Sequence, residues 1–330
     1  RGASPSGEAG AAAATSAATA RSVAGARPAE AKEASLANCC SAGLAAVARR
    51  MARAAGGLDA TPKTSMLRGA LSPAAPGAPK PVTVYITGFG PFGGVVDNPT
   101  SIMCQALRDW AERGREPPGV APELIEEFRS SCVSLIGLDA LEVSGDACRR
   151  AAPAILDALR RSNGDAAAAP PAAAGGDLCA IVHLGVSSQS TQFNLECRGH
   201  NVADFRIPDV QGWQPQGEPI VAGAPSHLFT RLDLPRILGE LHDRGVDCAI
   251  STDPGRYICN YMFYTMLHAA QPAGIPALFV HVPAFETVGQ DVQLSAVLKL
   301  FIAIAKQLRG DGAANGEASG QPSATSRPLG

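Results

Sequence analysis

The stretch that decides the fold is P-V-T-V-Y-I-T-G-F-G-P-F-G-G, residues 81–94, in which an apolar run leads directly into a glycine-rich turn. Residues 81–87 are rich in β-branched and aromatic side chains and carry no charge. This pattern is typical of a strand that is covered on both faces. We therefore predict that the folded part of the chain begins at Pro81, with this run as its buried first strand.

Similar runs follow along the chain and alternate with helical patterns. Strand-like segments lie at residues 127–136, 178–184, 246–251 and 277–282, and helical periodicity covers residues 101–113, 140–162, 235–244, 256–270 and 292–308. Such alternation predicts strands packed between layers of helices, because helices cover both faces of a mostly parallel sheet. The predicted fold class is α/β, as a single three-layer α/β/α sandwich with a mostly parallel, mixed sheet.

The two ends of the chain differ from this pattern in composition. Residues 1–80 are rich in Ala, Ser and Gly and hold ten basic residues against four acidic ones. Such a stretch buries too little apolar surface to offset the entropy lost on ordering, so we predict that it is disordered. We predict the same for the tail at residues 310–330. The predicted domain covers residues 81–309, with a low-complexity loop at residues 163–176.

The basic, acid-poor character of residues 1–80 has two interpretations. It is typical of an organelle transit peptide, which would direct the protein to a plastid or a mitochondrion. An extension without a targeting role fits the composition equally well. The 9 cysteines are odd in number and include no C-x-x-C pair, so we interpret most of them as reduced thiols and predict the cytosol as the compartment.

The overall composition argues against several classes of protein. The formal net charge is −2, which does not indicate a nucleic-acid or anionic-membrane partner. No stretch of about 18 apolar residues is present, so no transmembrane helix is predicted. The sequence leaves the oligomeric state open.

The glycine-rich turn at residues 88–94 formally contains G-x-G-x-x-G after a strand. A dinucleotide site is nevertheless not predicted, because Pro91 removes an amide that could hold phosphate. A strand ending in Asp or Glu is also missing about 20 residues further on. Phe89 and Phe92 instead either wall a small, flat, apolar pocket or plug the core, and residue chemistry alone favours neither.

The segment V-D-C-A-I-S-T-D-P-G-R-Y-I-C-N-Y-M-F-Y, residues 246–264, is the most informative for chemistry. A strand is predicted to end near Ser251, with Asp253 suited to cap a helix and Pro254 suited to its first position. Cys259 then lies near the helix start, where the dipole and the free amides favour a nucleophilic thiolate. A buried structural cysteine is the alternative that this segment alone leaves open.

Two further side chains could complete a site around such a thiolate. His281 ends an apolar strand at the sheet edge where active sites of open α/β folds collect, and it could exchange protons with a thiol and an amine. A core histidine is the alternative. Glu196 could hold the other imidazole N–H. Chemistry alone does not choose it over three nearby carboxylates, those of Asp204, Asp209 and Glu218.

Together these segments resemble the pyroglutamyl peptidase I (pyrrolidone carboxyl peptidase) family of cysteine peptidases, over residues 82–308. Five patterns match in the family's order: T-G-F-G-P-F-G-G at 87–94 with N-P-T at 98–100, H-L-G-V at 183–186 leading to L-E-C-R-G-H-N at 195–201, R-I-P-D at 206–209, S-T-D-P-G-R-Y-I-C-N at 251–260 and F-V-H-V-P at 279–283. A single match would be weak, whereas five in order at compatible spacing are specific.

The resemblance implies a role for individual residues. It implies a Cys–His–Glu triad in which Cys259 is the nucleophile, His281 the general base and Glu196 the acid that orients it. It also implies a pocket for the pyrrolidone ring, with Asn98 at its polar edge. The pocket walls would be formed by Phe89, Phe92, Ile207, Tyr257 and Ile258.

The activity implied by the resemblance is hydrolysis of the amide bond after an N-terminal pyroglutamyl (5-oxoproline) residue of a peptide, through a thioester and without a metal or organic cofactor. A noncatalytic peptide-binding relative and a cysteine hydrolase of another small amide are the alternatives. Two features depart from the family pattern. Pro254 stands where family members usually have alanine, and residues 212–215 match poorly, so we expect that region to be peripheral.

Overall fold

The computed structural model describes residues 65–68, 79–162 and 178–311. The expectations of disorder for residues 1–64, 69–78 and 312–330, and of a loop for residues 163–176, lie outside the described residues. Inside the segment predicted to be disordered, Ser65–Arg68 forms a short strand, β1, that pairs with a strand of the main sheet. The structure therefore differs from the prediction at these four residues.

A mixed, mostly parallel sheet forms the centre of the described part of the chain. Its other strands are β2 (Val82–Phe89), β3 (Val133–Leu141), β4 (Leu178–Val186), β5 (Phe193–Glu196), β8 (Cys248–Ser251) and β9 (Ala277–Val282), in the order β1-β3-β2-β4-β9-β5-β8. The strands β2, β3, β4 and β9 run parallel. The strands β5 and β8 are parallel to each other, and β5 is antiparallel to β9. Two short strands, β6 (Arg198–His200) and β7 (His227–Phe229), form a separate antiparallel pair.

Helices cover both faces of this sheet, as predicted. They are α1 (Pro99–Arg113), α2 (Pro122–Ser130), α3 (Gly145–Ser162), α4 (Leu234–Asp243), α5 (Ile258–Ala270) and α6 (Gln290–Arg309). The helices α1, α2, α4 and α6 pack on one face, around Val84 and Ile86 of β2. The helices α3 and α5 pack on the other face, around Tyr85 and Phe89 of the same strand. This alternation along β2 is what a strand buried on both sides requires, and it gives the predicted three layers.

The segment predicted as a strand at residues 127–136 is divided between two elements. Its beginning belongs to α2, where Leu124, Ile125 and Phe128 are buried at helical spacing. The chain then turns at Cys132, whose φ is 50°, before β3 starts at Val133. The prediction was wrong for the first four residues because a helix with one short apolar face resembles an alternating strand at its end.

The sheet topology brings three strand ends to one place. Because β2, β4 and β9 are parallel neighbours, Phe89, Gly185 and His281 all lie toward the carboxyl ends of adjacent strands. The antiparallel strand β5 then places Glu196 opposite Phe279, two residues before His281 on β9. Open α/β sheets collect their sites at such an edge.

Candidate active site

Cys259 is the second residue of α5, close to the helix N-terminus predicted for it. The helix starts later than expected, because Tyr257 rather than Asp253 occupies the capping position. The Asp253 carboxylate instead accepts a hydrogen bond from Gly255 N at 3.1 Å, and Gly255 has a φ of 80°, which no helix contains. The amides of the first helical turn have no intrahelical acceptor, so they can donate hydrogen bonds to a negatively charged group at the end of the helix that carries Cys259.

The sulfur of Cys259 lies over a glycine on the neighbouring strand. A Cβ added at Gly185 would be 3.2 Å from Cys259 Sγ and 2.6 Å from the Phe279 ring. Gly185 is therefore required for the close approach of the nucleophile helix to the end of β4. It belongs to the H-L-G-V pattern at residues 183–186, but sequence reasoning did not assign it this function.

His281 and Glu196 form a buried hydrogen-bonded pair. His281 Nδ1 lies 2.8 Å from Glu196 Oε1, and the two residues are 9% and 1% exposed. Burial alone would lower the pKa of His281, but the charge and the hydrogen bond of Cys259, followed by those of Glu196, outweigh it and raise that pKa to about 10. Because Nδ1 is held by the carboxylate, Nε2 is the nitrogen left to face the sulfur.

The structure separates Glu196 from the carboxylates that chemistry alone could not exclude. Asp204 and Glu218 are exposed. Asp209 is buried, but its carboxylate accepts hydrogen bonds from three backbone amides, those of Gly145, Gln211 and Trp213. Among the described residues, Glu196 is thus the carboxylate in contact with His281.

A second buried histidine shows the alternative that was left open for His281. His183 lies on the same face of the sheet, with its Nδ1 2.7 Å from Thr87 Oγ1. Burial lowers its pKa to about 3, so His183 stays neutral. Because no carboxylate or thiolate raises its pKa, His183 has the features of a core histidine, whereas His281 has those of a proton carrier.

Asn260 connects the nucleophile helix to the segment that follows Glu196. Its Oδ1 accepts a hydrogen bond from His200 N at 2.8 Å, and its Nδ2 donates to His200 O at 2.9 Å and to Val202 O at 3.0 Å. The side chain is fully buried. Asn260 directly follows Cys259 in the motif at residues 251–260, which was a signal for its importance, although sequence reasoning gave it no role.

The two phenylalanines of the first turn, both predicted as pocket walls, are placed differently. Phe89 is 3% exposed, and its ring centroid lies 6.1 Å from that of Phe279, so it is packed in the core beneath the site. Phe92 is partly exposed, and its ring centroid lies 6.4 Å from that of Tyr257. Phe89 therefore plugs the core, whereas Phe92 is placed to wall a pocket.

The other predicted wall residues lie on two segments that meet near the turn. Ile207 is 38% exposed, and its side chain reaches the position where Gly93 would carry a Cβ, at 3.8 Å. Tyr257 donates a hydrogen bond from its hydroxyl to Pro208 O at 3.1 Å. Ile258 is buried beneath them at 1% exposure.

Asn98 is fully buried and fixes the turn that carries the phenylalanines. Its Nδ2 donates to Gly90 O at 3.0 Å, and its Oδ1 accepts from Thr100 N at 3.0 Å and from Thr100 Oγ1 at 2.9 Å. These contacts cap α1 and hold the glycine-rich turn in place. A direct contact of Asn98 with a ligand stays a prediction.

The two departures from the family pattern are also located by the structure. Pro254 is buried in the loop before α5 and lies outside the helix, since α5 begins at Ile258. Trp213 is not peripheral as expected, because its ring packs against Phe205 and Tyr261 at centroid distances of 5.2 and 5.5 Å.

Two other kinds of site are not found among the described residues. No group of three or more His, Cys, Asp and Glu side chains in these residues is arranged to hold a metal ion. None of the helices in the described part of the chain combines the length and the apolar character that crossing a bilayer requires.

Comparison with known families and proteins supports the resemblance seen in the motifs. A family model described as pyroglutamyl peptidase matches residues 172–302. Pyrrolidone-carboxylate peptidase of Vibrio parahaemolyticus is 30% identical over 200 residues, which cover 61% of this chain and 77% of that protein. The protein of the same name from Chromobacterium violaceum is 31% identical over 202 residues, with the same two coverages of 61% and 77%. Another, from Pyrococcus furiosus, is 38% identical over 104 residues, and the match spans only 50% of its length.

Solved structures share the fold. Pyrrolidone carboxyl peptidase from Thermococcus litoralis superposes with a TM-score of 0.53 at 24% identity, covering 69% of this chain and 96% of that one. A variant of pyrrolidone carboxyl peptidase from Pyrococcus furiosus superposes with a TM-score of 0.51 at 26% identity, covering 68% and 99%. The motifs in order, the shared fold and the identity to full-length relatives agree, and the chain therefore belongs to the pyrrolidone-carboxylate peptidase family.

Proposed function

We propose that this protein removes an N-terminal pyroglutamyl residue from peptides, with Cys259 as nucleophile, His281 as general acid and base, and Glu196 as the carboxylate that orients the imidazole. The observation that carries the proposal is the buried pair of His281 Nδ1 and Glu196 Oε1, 2.8 Å apart, beside the thiol at the start of α5. A nucleophile, a base within reach and a third group that orients the base are the requirements for covalent catalysis.

The raised pKa of His281 supports a resting thiolate–imidazolium pair. A pKa of about 10 means that the imidazole holds its proton at neutral pH. In the proposed pair this proton is the one given up by Cys259, and the thiolate is the form that attacks the substrate. Glu196 stabilises the imidazolium through Nδ1 and keeps Nε2 directed at the reacting atoms.

In the first step, the Cys259 thiolate attacks the carbonyl carbon that joins pyroglutamate to the next residue. A C–S bond forms, and the carbonyl electron pair moves to the oxygen, which free amides at the start of α5 are placed to stabilise. The oxyanion then collapses and the C–N bond breaks. The departing nitrogen takes the proton of His281, so the shortened peptide leaves with a neutral amine and a thioester remains.

In the second step, water hydrolyses this thioester. Neutral His281 takes a proton from water through Nε2, and the hydroxide adds to the thioester carbon. The C–S bond then breaks and releases pyroglutamate, and the sulfur leaves as a thiolate beside the imidazolium. The resting pair is restored, and no group other than the three side chains and water takes part.

The proposed pocket suits a neutral five-membered lactam. Phe92, Tyr257 and Ile207 supply apolar and aromatic walls close to the triad, and Phe89 with Ile258 supports them from the core. A flat ring with one N–H and one C=O needs few polar contacts. A prolyl residue would bring a charged amine into the same apolar walls, where it would be unpaired.

The test is hydrolysis of a fluorogenic pyroglutamyl amide by the full chain, with the matching prolyl amide as substrate control. We expect turnover of the pyroglutamyl amide, little or none of the prolyl amide, and loss of activity after treatment with iodoacetamide. Cys259→Ala and His281→Ala should each abolish turnover with the fold intact by circular dichroism.

Cys197→Ala and Cys248→Ala are the matched thiol controls. Cys197 is partly exposed and Cys248 is buried. Burial raises the pKa of both thiols, that of Cys248 to about 11. Both variants should keep wild-type turnover and its sensitivity to iodoacetamide. Turnover by the Cys259→Ala variant would contradict the assignment of the nucleophile, and a folded, reduced wild type without turnover would favour a noncatalytic relative.

We also propose that the enzyme works in a reducing compartment, with the cytosol as the first candidate. The reason is that its nucleophile is a thiol with thiolate character, which an oxidising compartment would convert to a disulfide or a sulfenic acid.

A further inference from the structure

Trp213 occupies a notch that exists because residue 145 is glycine. A Cβ added at Gly145 would overlap the Trp213 ring, with the ring carbon Cε3 only 2.7 Å away. Gly145 is the first residue of α3, and it is not among the residues with positive φ. The backbone of Gly145 thus does not require glycine, and the indole ring is the group that does.

The indole, which is partly exposed, also contacts two aromatic rings and a guanidinium group. Phe205 and Tyr261 meet it edge-on, with centroid distances of 5.2 and 5.5 Å and interplanar angles of 70° and 84°. The guanidinium of Arg149 lies 5.4 Å from the ring centroid and donates a hydrogen bond to Tyr261 Oη at 3.0 Å. Edge-to-face and cation–π contacts of this kind favour one ring orientation.

Trp213 ends a loop that returns to the proposed pocket. Its backbone pairs with Asp209, since Asp209 N donates to Trp213 O at 2.8 Å and Trp213 N donates to Asp209 Oδ1 at 2.9 Å. Asp209 Oδ2 accepts a hydrogen bond from Gly145 N at 3.0 Å. The Asp209 carboxylate and the Trp213 ring therefore both hold the loop to α3 at Gly145. Ile207 lies two residues before Asp209, and the intervening Pro208 O accepts a hydrogen bond from the hydroxyl of Tyr257.

We propose that Trp213, seated in the notch at Gly145, is a positioning residue that holds the loop of residues 205–213 so that Ile207 and Tyr257 form one wall of the pyroglutamyl pocket. This inference rests on the proposed function for its substrate. It concerns a part of the chain, residues 212–215, that departs from the family pattern. The Trp213 ring contacts Phe205, and Phe205 in turn contacts Tyr257 at a centroid distance of 5.0 Å, so Trp213 acts on the pocket wall through these neighbours.

Loss of the anchor should weaken substrate binding more than chemistry. The triad sits on β5, β9 and α5, which the loop does not carry, so kcat of Trp213→Ala should stay near wild type. A displaced wall removes a few apolar contacts with the substrate. Contacts of this kind change discrimination between similar substrates by 10–200-fold, and we expect KM to rise by about 10-fold, at the low end of that range. A rise in KM at constant kcat is the sign of lost binding common to ground and transition states.

A double-mutant cycle with Gly145→Ala separates the anchor from a general loss of packing. Gly145→Ala alone forces the indole out of the notch and should raise KM to the same extent as Trp213→Ala. In the Trp213→Ala background the notch is empty, so adding Gly145→Ala should have no further effect. If the two increases in KM instead multiply in the double variant, the proposal is overturned, because additive free-energy changes show that the two sites act independently.

Trp110 supplies the matched control. Trp110 is buried, whereas Trp213 is partly exposed, but it has the same kinds of partner: an aromatic ring, that of Phe128 at 5.5 Å, and a guanidinium, that of Arg129, 5.8 Å from its ring. It packs on the opposite face of the sheet, in the cluster that includes α1 and α2. Trp110→Phe should leave KM unchanged, whereas Trp213→Phe, which fills less of the notch, should raise it.

Hydrogen–deuterium exchange tests the anchor without reference to activity. In full-length Trp213→Ala and Gly145→Ala, the amides of residues 205–213 should exchange about 10-fold faster or more, while the amides of β9 keep their protection. Unchanged exchange in this loop would overturn the inference even in an active enzyme. Faster exchange in a wild type that proves inactive on pyroglutamyl amides would uphold the anchor and refute the proposed function instead.

Discussion

Replacing Glu196 by glutamine tests the proposed triad at its most sensitive point. The substitution keeps the size of the side chain and removes its charge, where Oε1 contacts His281 Nδ1 at 2.8 Å. Glu196 is 1% exposed, so water cannot take over the role of the carboxylate. If the new amide turns its NH₂ group to Nδ1, the imidazole proton must move to Nε2, and the ring can no longer accept the thiol proton.

The expected magnitude follows from the contact that is lost. A hydrogen bond to a charged group contributes about 1.5–3 kcal/mol, which corresponds to about 10-fold to 150-fold in rate if it stabilises the imidazolium. The wrong tautomer adds to this loss, and an amide in place of the triad carboxylate lowers kcat by about 10,000-fold in the Ser-His-Asp case. We therefore expect kcat of Glu196→Gln to fall by about 100-fold to 10,000-fold, with KM nearly unchanged.

The assay is steady-state hydrolysis of the fluorogenic pyroglutamyl amide at neutral pH, together with the rate of alkylation of Cys259 by iodoacetamide. The alkylation rate reports the thiolate and should fall with kcat, because the imidazolium that stabilises it is weakened. Glu218→Gln is the matched control, since Glu218 lies on the same segment of the chain and is exposed. It should match wild type in both measurements.

A Glu196→Gln variant with kcat within about threefold of wild type would refute the reasoning, because no tautomer or charge effect of the expected size would then exist. A loss of turnover with an unchanged alkylation rate would refute the proposed link between Glu196, the imidazolium and the thiolate.

Three further predictions concern stability and geometry. Because the pKa of His281 is raised from 6.5 to about 10 on folding, the stability it contributes is complete below pH 6.5 and is lost as pH rises toward about 10. The difference in free energy of unfolding between wild type and Glu196→Gln, measured in urea, should therefore shrink across this pH range. A difference that stays constant would contradict the prediction. Asn260→Ala should lower kcat about 10-fold or more, because it removes three hydrogen bonds that hold the helix of Cys259 against His200 and Val202, whereas Asn201→Ala, which frees a surface loop instead, should not. Phe89→Ala should lower the free energy of unfolding by about 3–5 kcal/mol in chemical denaturation, as expected for a core ring, and a loss below 1 kcal/mol would place Phe89 outside the core.

The position of helix α5 shows why local patterns pointed to Cys259, the proposed nucleophile, but did not locate the start of its helix. Asp253 and Pro254 have the chemistry of a helix start, and the prediction placed the helix there. In the structure Asp253 binds Gly255 N, and the positive φ of Gly255 ends any helical path, so the helix begins at Ile258. Propensity describes what a residue tolerates, whereas competing side-chain contacts decide which residue caps the helix.

The choice among the candidate carboxylates shows what residue chemistry could not predict about the site. Glu196 and His281 are 85 residues apart, and they meet because β5 runs antiparallel to β9 in a register that sets Glu196 opposite Phe279. The strand β5 has only four residues and was not predicted. Spacing along the chain contains no information about that register, so residue chemistry alone left Asp204, Asp209 and Glu218 open, and only the resemblance to a family selected Glu196.

The sequence by itself determined the α/β class, the long apolar strands and the family, and it singled out Cys259 and His281 as candidates for the site. It could do so because apolar periodicity reports burial locally and because several motifs stand in a fixed order. The tertiary structure alone decided that Phe89 is core while Phe92 is partly exposed, that His183 stays neutral while His281 holds a proton, and that Trp213 packs on Gly145. Each of these depends on which distant side chains come together, and that is set by the packing of helices on the sheet rather than by any neighbour in the chain.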